Sequence, residues 1–84
     1  MMQHQLLISA RSRPEMLERI LRVVRHRGFQ VCAMDMVLGE GNEATIKLTV
    51  ASARSVDLLS AQLTKLVDVC QVELQQAISQ QIRA

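Results

Sequence analysis

The chain has 84 residues, enough for one small domain with one modest core, a size at which a partner often contributes to stability. Hydrophobic residues make up 49% of it but aromatic residues only 1%, which disfavours single-stranded nucleic-acid binding, because that binding depends on stacking. Ten Lys and Arg against eight Asp and Glu give a net charge of +2, and charges interrupt every apolar run before it reaches membrane-spanning length. We therefore expect no nucleic acid and no membrane among its partners.

The two cysteines, Cys32 and Cys70, lie far apart in apolar surroundings and form no CxxC motif. Without that motif a copper-chaperone function is not supported. No signal-like stretch precedes them, so we expect both to be buried free thiols in a reducing cytoplasm.

The first predicted element is a strand over residues 3–10, whose alternate residues form one face for a core. That face carries His4, Leu6, Ile8 and Ala10, whereas Leu7 lies on the opposite face, which is otherwise polar.

The next predicted element is a helix whose start and end are both marked by residues typical of helix termini. Pro14 suits its first position because its φ is already helical, and Gly28 suits the left-handed residue that ends it. Its apolar stripe consists of Leu17, Ile20, Leu21 and Val24. Glu15 and Glu18 each precede an arginine by four residues, so we expect ion pairs on the outer face. The basic residues crowd onto this helix among those acidic neighbours, which indicates a solvated face.

The second strand, from Phe29 to about Leu38, changes phase along its length. Phe29 and Val31 set one alternation, whereas Met34, Met36 and Leu38 set the other. Either both faces are covered, or a bulge near Cys32 and Ala33 shifts the register.

Residues 39–42 predict a turn and residues 44–51 a third strand, so these strands form a hairpin. Ser52 or Ser55 caps a second helix whose apolar residues recur at alternating spacings of three and four. Those residues are Val56, Leu59, Leu63 and Leu66. Residues 67–74 predict a fourth strand. We expect a single domain over residues 1–76 and a polar C-terminal tail over residues 77–84.

This βαββαβ order predicts an α+β fold, the ferredoxin-like sandwich. Its four-stranded antiparallel sheet has the spatial order 4-1-3-2 and carries both helices on one face. The second strand becomes an edge that is rich in Met and carries one charge, Asp35. Pairing with a copy of itself would protect that edge, although a few exposed apolar residues on an ordinary sheet would explain the same composition.

Catalytic groups are sparse. His4 and His26 each stand alone, and the carboxylates show no pairing that would tune one as an acid and another as a base. The serines have no nucleophile-elbow context, and no cluster of residues suggests a metal site. We therefore expect a binding or regulatory module without catalytic activity.

Three segments of the chain resemble a known family. Residues 21–29, residues 48–69 and the ending 79–84 are similar to the ACT-domain small regulatory subunits of acetolactate synthase, in particular to the short isozyme II type. The resemblance covers essentially the whole chain, and we expect this chain to lack the C-terminal domain that longer members carry.

The resemblance implies a homodimer with side-by-side sheets that binds and activates the catalytic (large) subunit of acetolactate synthase. Thiamine diphosphate, Mg²⁺ and FAD are then expected on that partner and no cofactor on this chain. The dimer edge implied by the family comprises Val31, Cys32, Ala33, Met34, Asp35 and Met36.

The resemblance also implies an effector site: in the feedback-sensitive relatives, valine lies between the first loop of one protomer and the second strand of the other. The corresponding positions here are Ser12, Arg13, Pro14, Glu15, Met16 and Gln30. Ser12, Glu15 and Gln30 depart from the family's Asn, Gly and Asn, and Glu15 adds bulk and negative charge where a ligand carboxylate would approach the helix N-terminus. We expect weak or absent feedback by valine or another branched-chain amino acid.

Two other functions remain open from the sequence. One is a stand-alone amino-acid-sensing ACT module that acts on another enzyme or regulator. The other is a nucleic-acid module on the same sandwich, which the lack of aromatic residues disfavours.

Overall fold

A computed structural model of the chain describes residues 2–75 and contains four strands and two helices in the order βαββαβ. The elements are β1 (Met2–Arg11), α1 (Met16–His26), β2 (Gln30–Leu38), β3 (Glu43–Ser52), α2 (Val56–Thr64) and β4 (Val69–Gln75). The predicted order is confirmed. The predicted domain end at residue 76 and the tail 77–84 lie outside the described residues.

The four strands form one antiparallel sheet in the order β2-β3-β1-β4, as predicted. β1 and β3 occupy the centre and pair without interruption from Met2 opposite Ser52 to Arg11 opposite Glu43. β2 and β4 are therefore the edges of the sheet.

The core lies between one face of this sheet and both helices. In the central strands the alternate apolar residues point inward, as their spacing predicts: Leu6 and Ile8 from β1, and Ile46, Leu48 and Val50 from β3, all fully buried. The helices complete the same cluster with Met16, Ile20, Val24, Val56, Leu59 and Leu63. Both helices thus cover a single face, and the opposite face of the sheet carries no helix among residues 2–75.

A bulge in β2 resolves its change of phase. Val31 pairs with Val50 and Ala33 with Thr49, so Cys32 is an extra residue without a partner on β3. After the bulge, Met34 and Met36 lie opposite the inward-facing Leu48 and Ile46. Of the two explanations open from the sequence, the register shift is correct.

The prediction that both cysteines are buried is wrong, because each lies at a bulge on an edge strand and is exposed. β4 pairs Gln71 with Ser9 but Val69 with Ala10, which leaves Cys70 as the extra residue. A bulged residue leaves the inward-outward alternation, so apolar neighbours in the sequence did not imply burial.

α1 differs from its prediction at the N-terminal end. The helix begins at Met16, and Pro14 lies in a preceding turn in which the Met16 N–H donates to the Arg13 carbonyl over 3.1 Å. Met16 is buried, whereas Leu17 and Leu21, which were predicted for the apolar stripe, are only half-buried. At the other end Gly28 has φ +85°, which confirms the left-handed stop.

The two candidate serines at the start of α2 have separate roles. Ser55 is the N-cap, and its Oγ accepts a hydrogen bond from the Asp57 N–H over 3.3 Å. The buried Ser52 Oγ donates to the Gly28 carbonyl at 3.1 Å and accepts from the Arg54 N–H at 3.0 Å. Ser52 therefore ties the end of α1 to the β3–α2 connection.

Candidate functional site

The β1–α1 loop is the first of the two regions that the sequence singled out. Its Ser12 N–H donates to the Asn42 carbonyl over 2.7 Å, which attaches the loop to the turn between β2 and β3. Ser12 is half-buried, Arg13, Pro14 and Glu15 are exposed, and Met16 is in the core. The loop is thus anchored on both sides while its central three residues face solvent.

A buried carboxylate, Asp68, forms ion pairs with the loop and with α1. Its side chain is only 4% exposed, and its Oδ1 lies 3.2 Å from Arg13 Nε and its Oδ2 3.6 Å from Arg19 Nη1. The Arg19 Nη2 in turn lies 3.0 Å from Glu15 Oε1. The Asp68 backbone carbonyl also accepts a hydrogen bond from the Arg11 N–H over 2.8 Å. Two carboxylates and two guanidinium groups therefore join the loop, α1 and the α2–β4 connection in one neutral network.

The role of Asp68 was not predicted from the sequence, because its arginine partners belong to the other half of the chain. One signal was available: Asp68 is a lone charge in the otherwise apolar stretch of residues 66–70. A buried charge needs a partner, so such a position predicts an ion pair without naming the partner.

The predicted ion pairs of α1 form only in part. Glu15 and Arg19 are paired as expected, but Glu15 is the N-cap residue and its side chain makes no capping hydrogen bond. Glu18 and Arg22 form no ion pair in the region that the structure describes. Glu15 consequently places a carboxylate, already held by Arg19, beside the N-terminus of α1.

Gln30, the remaining predicted effector position, does not lie near the loop in the same chain. It pairs with Ala51, which pairs with Gln3 on β1, whereas the loop leaves β1 at Arg11. These positions on β1 differ by eight residues (11 − 3), or about 26 Å of extended strand. One copy of the chain therefore contains only part of the predicted site.

The predicted dimer edge, β2, is the second region. Val31 and Met34 are half-buried, whereas Cys32, Ala33, Asp35 and Met36 are exposed. The strand ends with two further exposed apolar side chains, Val37 at 65% and Leu38 at 61%. Among residues 2–75, β2 pairs only with β3, so its outer backbone groups have no strand partner. This edge is apolar, and Asp35 is its only charge.

Residues 2–75 contain no cluster of three or more His, Cys, Asp and Glu side chains suited to a metal ion. Nor is any helix in this part of the chain long and apolar enough to cross a membrane.

The fold and the family comparison agree. The family profile of the ACT domain matches residues 12–72. The crystal structure of the ACT domain from GTP pyrophosphokinase of Chlorobium tepidum superposes with a TM-score of 0.75 at 16% identity, covering 88% of this chain and 97% of that one. These findings define an ACT domain.

Proteins of similar sequence show which group of ACT-domain proteins the chain belongs to. The acetolactate synthase isozyme 2 small subunits of Escherichia coli K12 and Shigella flexneri are each 61% identical to this chain. Each alignment covers the full length of this chain and the full length of the relative. The crystal structure of the acetolactate synthase small subunit from Thermotoga maritima has the same fold, with a TM-score of 0.76 at 17% identity, covering 88% of this chain and 47% of that one. The chain belongs to the acetolactate synthase small-subunit family of ACT-domain proteins.

Proposed function

We propose that this chain is the regulatory subunit of an acetolactate synthase and that it binds the catalytic (large) subunit as a homodimer and raises its activity. The observation that carries the proposal is the 61% identity over full length to small subunits of isozyme 2. Such agreement over the whole chain favours this function over a stand-alone amino-acid sensor. The cytoplasm is the proposed location.

The chemistry of the described residues supports a non-catalytic role. Asp68 is the one carboxylate buried within residues 2–75, and two arginines engage it. His4 lies in β1 and the exposed His26 at the end of α1, so they belong to separate regions. We assign thiamine diphosphate, Mg²⁺ and FAD to the catalytic partner, which supplies the chemistry, while this subunit biases that partner towards its active arrangement.

The β2 edge supports the homodimer. An edge strand with exposed Met36, Val37 and Leu38 and few charges is a template for further strand pairing. A two-fold axis across this edge would pair the two β2 strands antiparallel and so extend the sheet. It would also bring Gln30 of one copy towards the loop end of the other, which completes the effector region that one copy lacks.

The same geometry supports weak or absent valine feedback. A valine carboxylate directed at the N-terminus of α1 would meet the Glu15 carboxylate, and Arg19 and Arg13 are already engaged by Glu15 and Asp68. A ligand changes a conformational equilibrium only through its differential affinity for the states, so a lost site means lost inhibition.

Reconstitution tests the function. The purified catalytic subunit is assayed for acetolactate formation from pyruvate alone and with increasing amounts of this chain, at saturating cofactors. We expect a saturable rise in rate, and no product from this chain alone. An unchanged rate and unchanged cofactor affinity over the whole titration would contradict the proposal.

Calorimetry with valine tests the effector region separately. We expect no binding to the wild-type dimer, and partial recovery in the double variant Ser12→Asn with Glu15→Gly, which clears the helix N-terminus. Glu15→Gln is the matched control, since it removes the charge but keeps the bulk. Micromolar valine binding to the wild type, with inhibition of the reconstituted enzyme, would show that these substitutions preserve the site.

A further inference from the structure

We propose that the catalytic subunit docks, through an acidic surface with an apolar contact at its centre, on a cationic cleft between the ends of α1 and α2. This cleft, called here the basic cleft, is lined by Arg25, His26, Arg27, Arg54, Leu58 and Gln62. The inference rests on the proposed function, because its occupant is the partner named there.

The charges of the basic cleft are not balanced within the described chain. Its lining contains three arginines and one histidine but no carboxylate. Arg13 and Arg19 form ion pairs, whereas Arg25, Arg27 and Arg54 form none with any residue of 2–75. The C-terminus of α1 offers about half an elementary negative charge, which offsets only a fraction of theirs. The acidic neighbours in the sequence therefore do not neutralise this end of the molecule.

Two of the three arginine side chains lie against other residues of the cleft before any partner binds. The Arg27 Nη2 donates to Gln62 Oε1 over 3.2 Å, which bridges α1 and α2. The Arg54 side chain lies across Gly28, with its Nε 3.0 Å from the position that a Cβ on Gly28 would occupy. Ordered side chains lose less entropy on binding, so a preorganised cationic surface gains affinity for an anionic partner.

Leu58 indicates that the partner is a protein. It is 62% exposed, because its helix turns Val56, Leu59 and Leu63 into the core and leaves Leu58 at the cleft. An apolar side chain surrounded by charged groups is the arrangement of interface centres, in which a polar rim excludes water from an apolar contact. Nucleic acid would leave this leucine without a partner, and the aromatic residue at the cleft, Phe29, is only 4% exposed and so offers no stacking surface.

The basic cleft is compatible with the proposed homodimer. Its lining residues come from α1, the α1–β2 and β3–α2 connections and α2, and none comes from β2. Pairing of two β2 edges does not use these side chains, so both clefts of such a dimer would remain open to a catalytic subunit.

Binding of the full-length chain to the purified catalytic subunit, measured by calorimetry at about 50 and 300 mM KCl, tests the inference. We expect Arg54→Glu to raise the Kd at least tenfold at the lower salt and to reduce the dependence of the Kd on salt, because an attractive charge becomes repulsive. Leu58→Ser is expected to raise the Kd about fivefold or more at both salt concentrations.

Two matched controls make the same chemical changes elsewhere. Lys65→Glu alters the charge of an exposed residue at the end of α2, and Val67→Ser removes an apolar side chain that is 86% exposed. Both are expected to keep the Kd within twofold. Far-ultraviolet circular dichroism and the Tm of every variant confirm that it folds.

Three results would overturn the inference alone, and a fourth would overturn the proposed function as well. In the first, the wild type activates the catalytic subunit, but the Arg54→Glu and Leu58→Ser variants bind that subunit as tightly as the wild type does. This result would reject the cleft as the docking site and leave the proposed function intact. Equal weakening by Lys65→Glu would reduce the effect to overall charge. Retention of a duplex oligonucleotide by wild type but not by Arg54→Glu, with catalytic-subunit binding unchanged, would assign the cleft to nucleic acid. Absence of any binding by the wild type would instead reject the proposed function, and the inference with it.

Discussion

Replacing Asp68 with alanine tests whether the buried carboxylate holds the β1–α1 loop. The substitution removes an acceptor that is 4% exposed and leaves Arg13 and Arg19 without it. Hydrogen bonds to charged groups contribute about 1.5–3 kcal/mol each, and breaking a fully buried ion pair costs about 3–5 kcal/mol.

The expected magnitude is smaller than the sum of two such contacts. The Arg13 and Arg19 side chains are 58% and 50% exposed, so water solvates them once the carboxylate is gone. The Arg19 contact is also long, at 3.6 Å. We therefore expect Asp68→Ala to lower the free energy of unfolding by about 2–3 kcal/mol, or the Tm by about 10–20 °C for a domain of this size.

Differential scanning calorimetry measures the change in Tm. All samples are kept at one protein concentration, because dimerisation would make the Tm concentration-dependent. Glu73→Gln is the matched control, because Glu73 is an exposed acid on β4 and its loss is expected to change stability by less than about 0.5 kcal/mol. A Tm for Asp68→Ala within about 2 °C of wild type would refute the idea that this network anchors the loop.

Three further variants test other parts of the structure. Ser52→Ala, which leaves the Gly28 carbonyl without its donor, is expected to cost about 1–2 kcal/mol in urea unfolding. Gly28→Ala is expected to cost about 1–3 kcal/mol, because φ is +85° and the new Cβ would press on Arg54; a neutral result would contradict the left-handed stop. Met36→Lys adds a charge to the exposed β2 edge and is expected to shift the sedimentation profile towards monomer. Val67→Lys, at another exposed apolar residue, is the control and is expected to leave the profile unchanged. An unchanged profile for both variants would exclude pairing through β2.

Much of the fold was predictable because its determinants are local. The alternation in β1 and β3, the helical stripe around Ile20, and Gly28 each depend on residues within a few positions of one another. Even the bulge at Cys32 was visible as a change of phase in β2. The order of the strands then followed from the handedness of the crossovers.

The sequence by itself determined the elements, their order, the inward-facing residues of the two central strands and the family. Only the tertiary structure decided which charges meet: Asp68 reaches Arg13 and Arg19, whereas Arg54 and Arg27 gather in the basic cleft without a carboxylate. It also exposed both cysteines, because bulges on the two edge strands move them out of the alternation. The physical reason is range: backbone periodicity and capping act between near neighbours in the chain, but ion pairs act between side chains that only the completed sheet and its crossovers bring together.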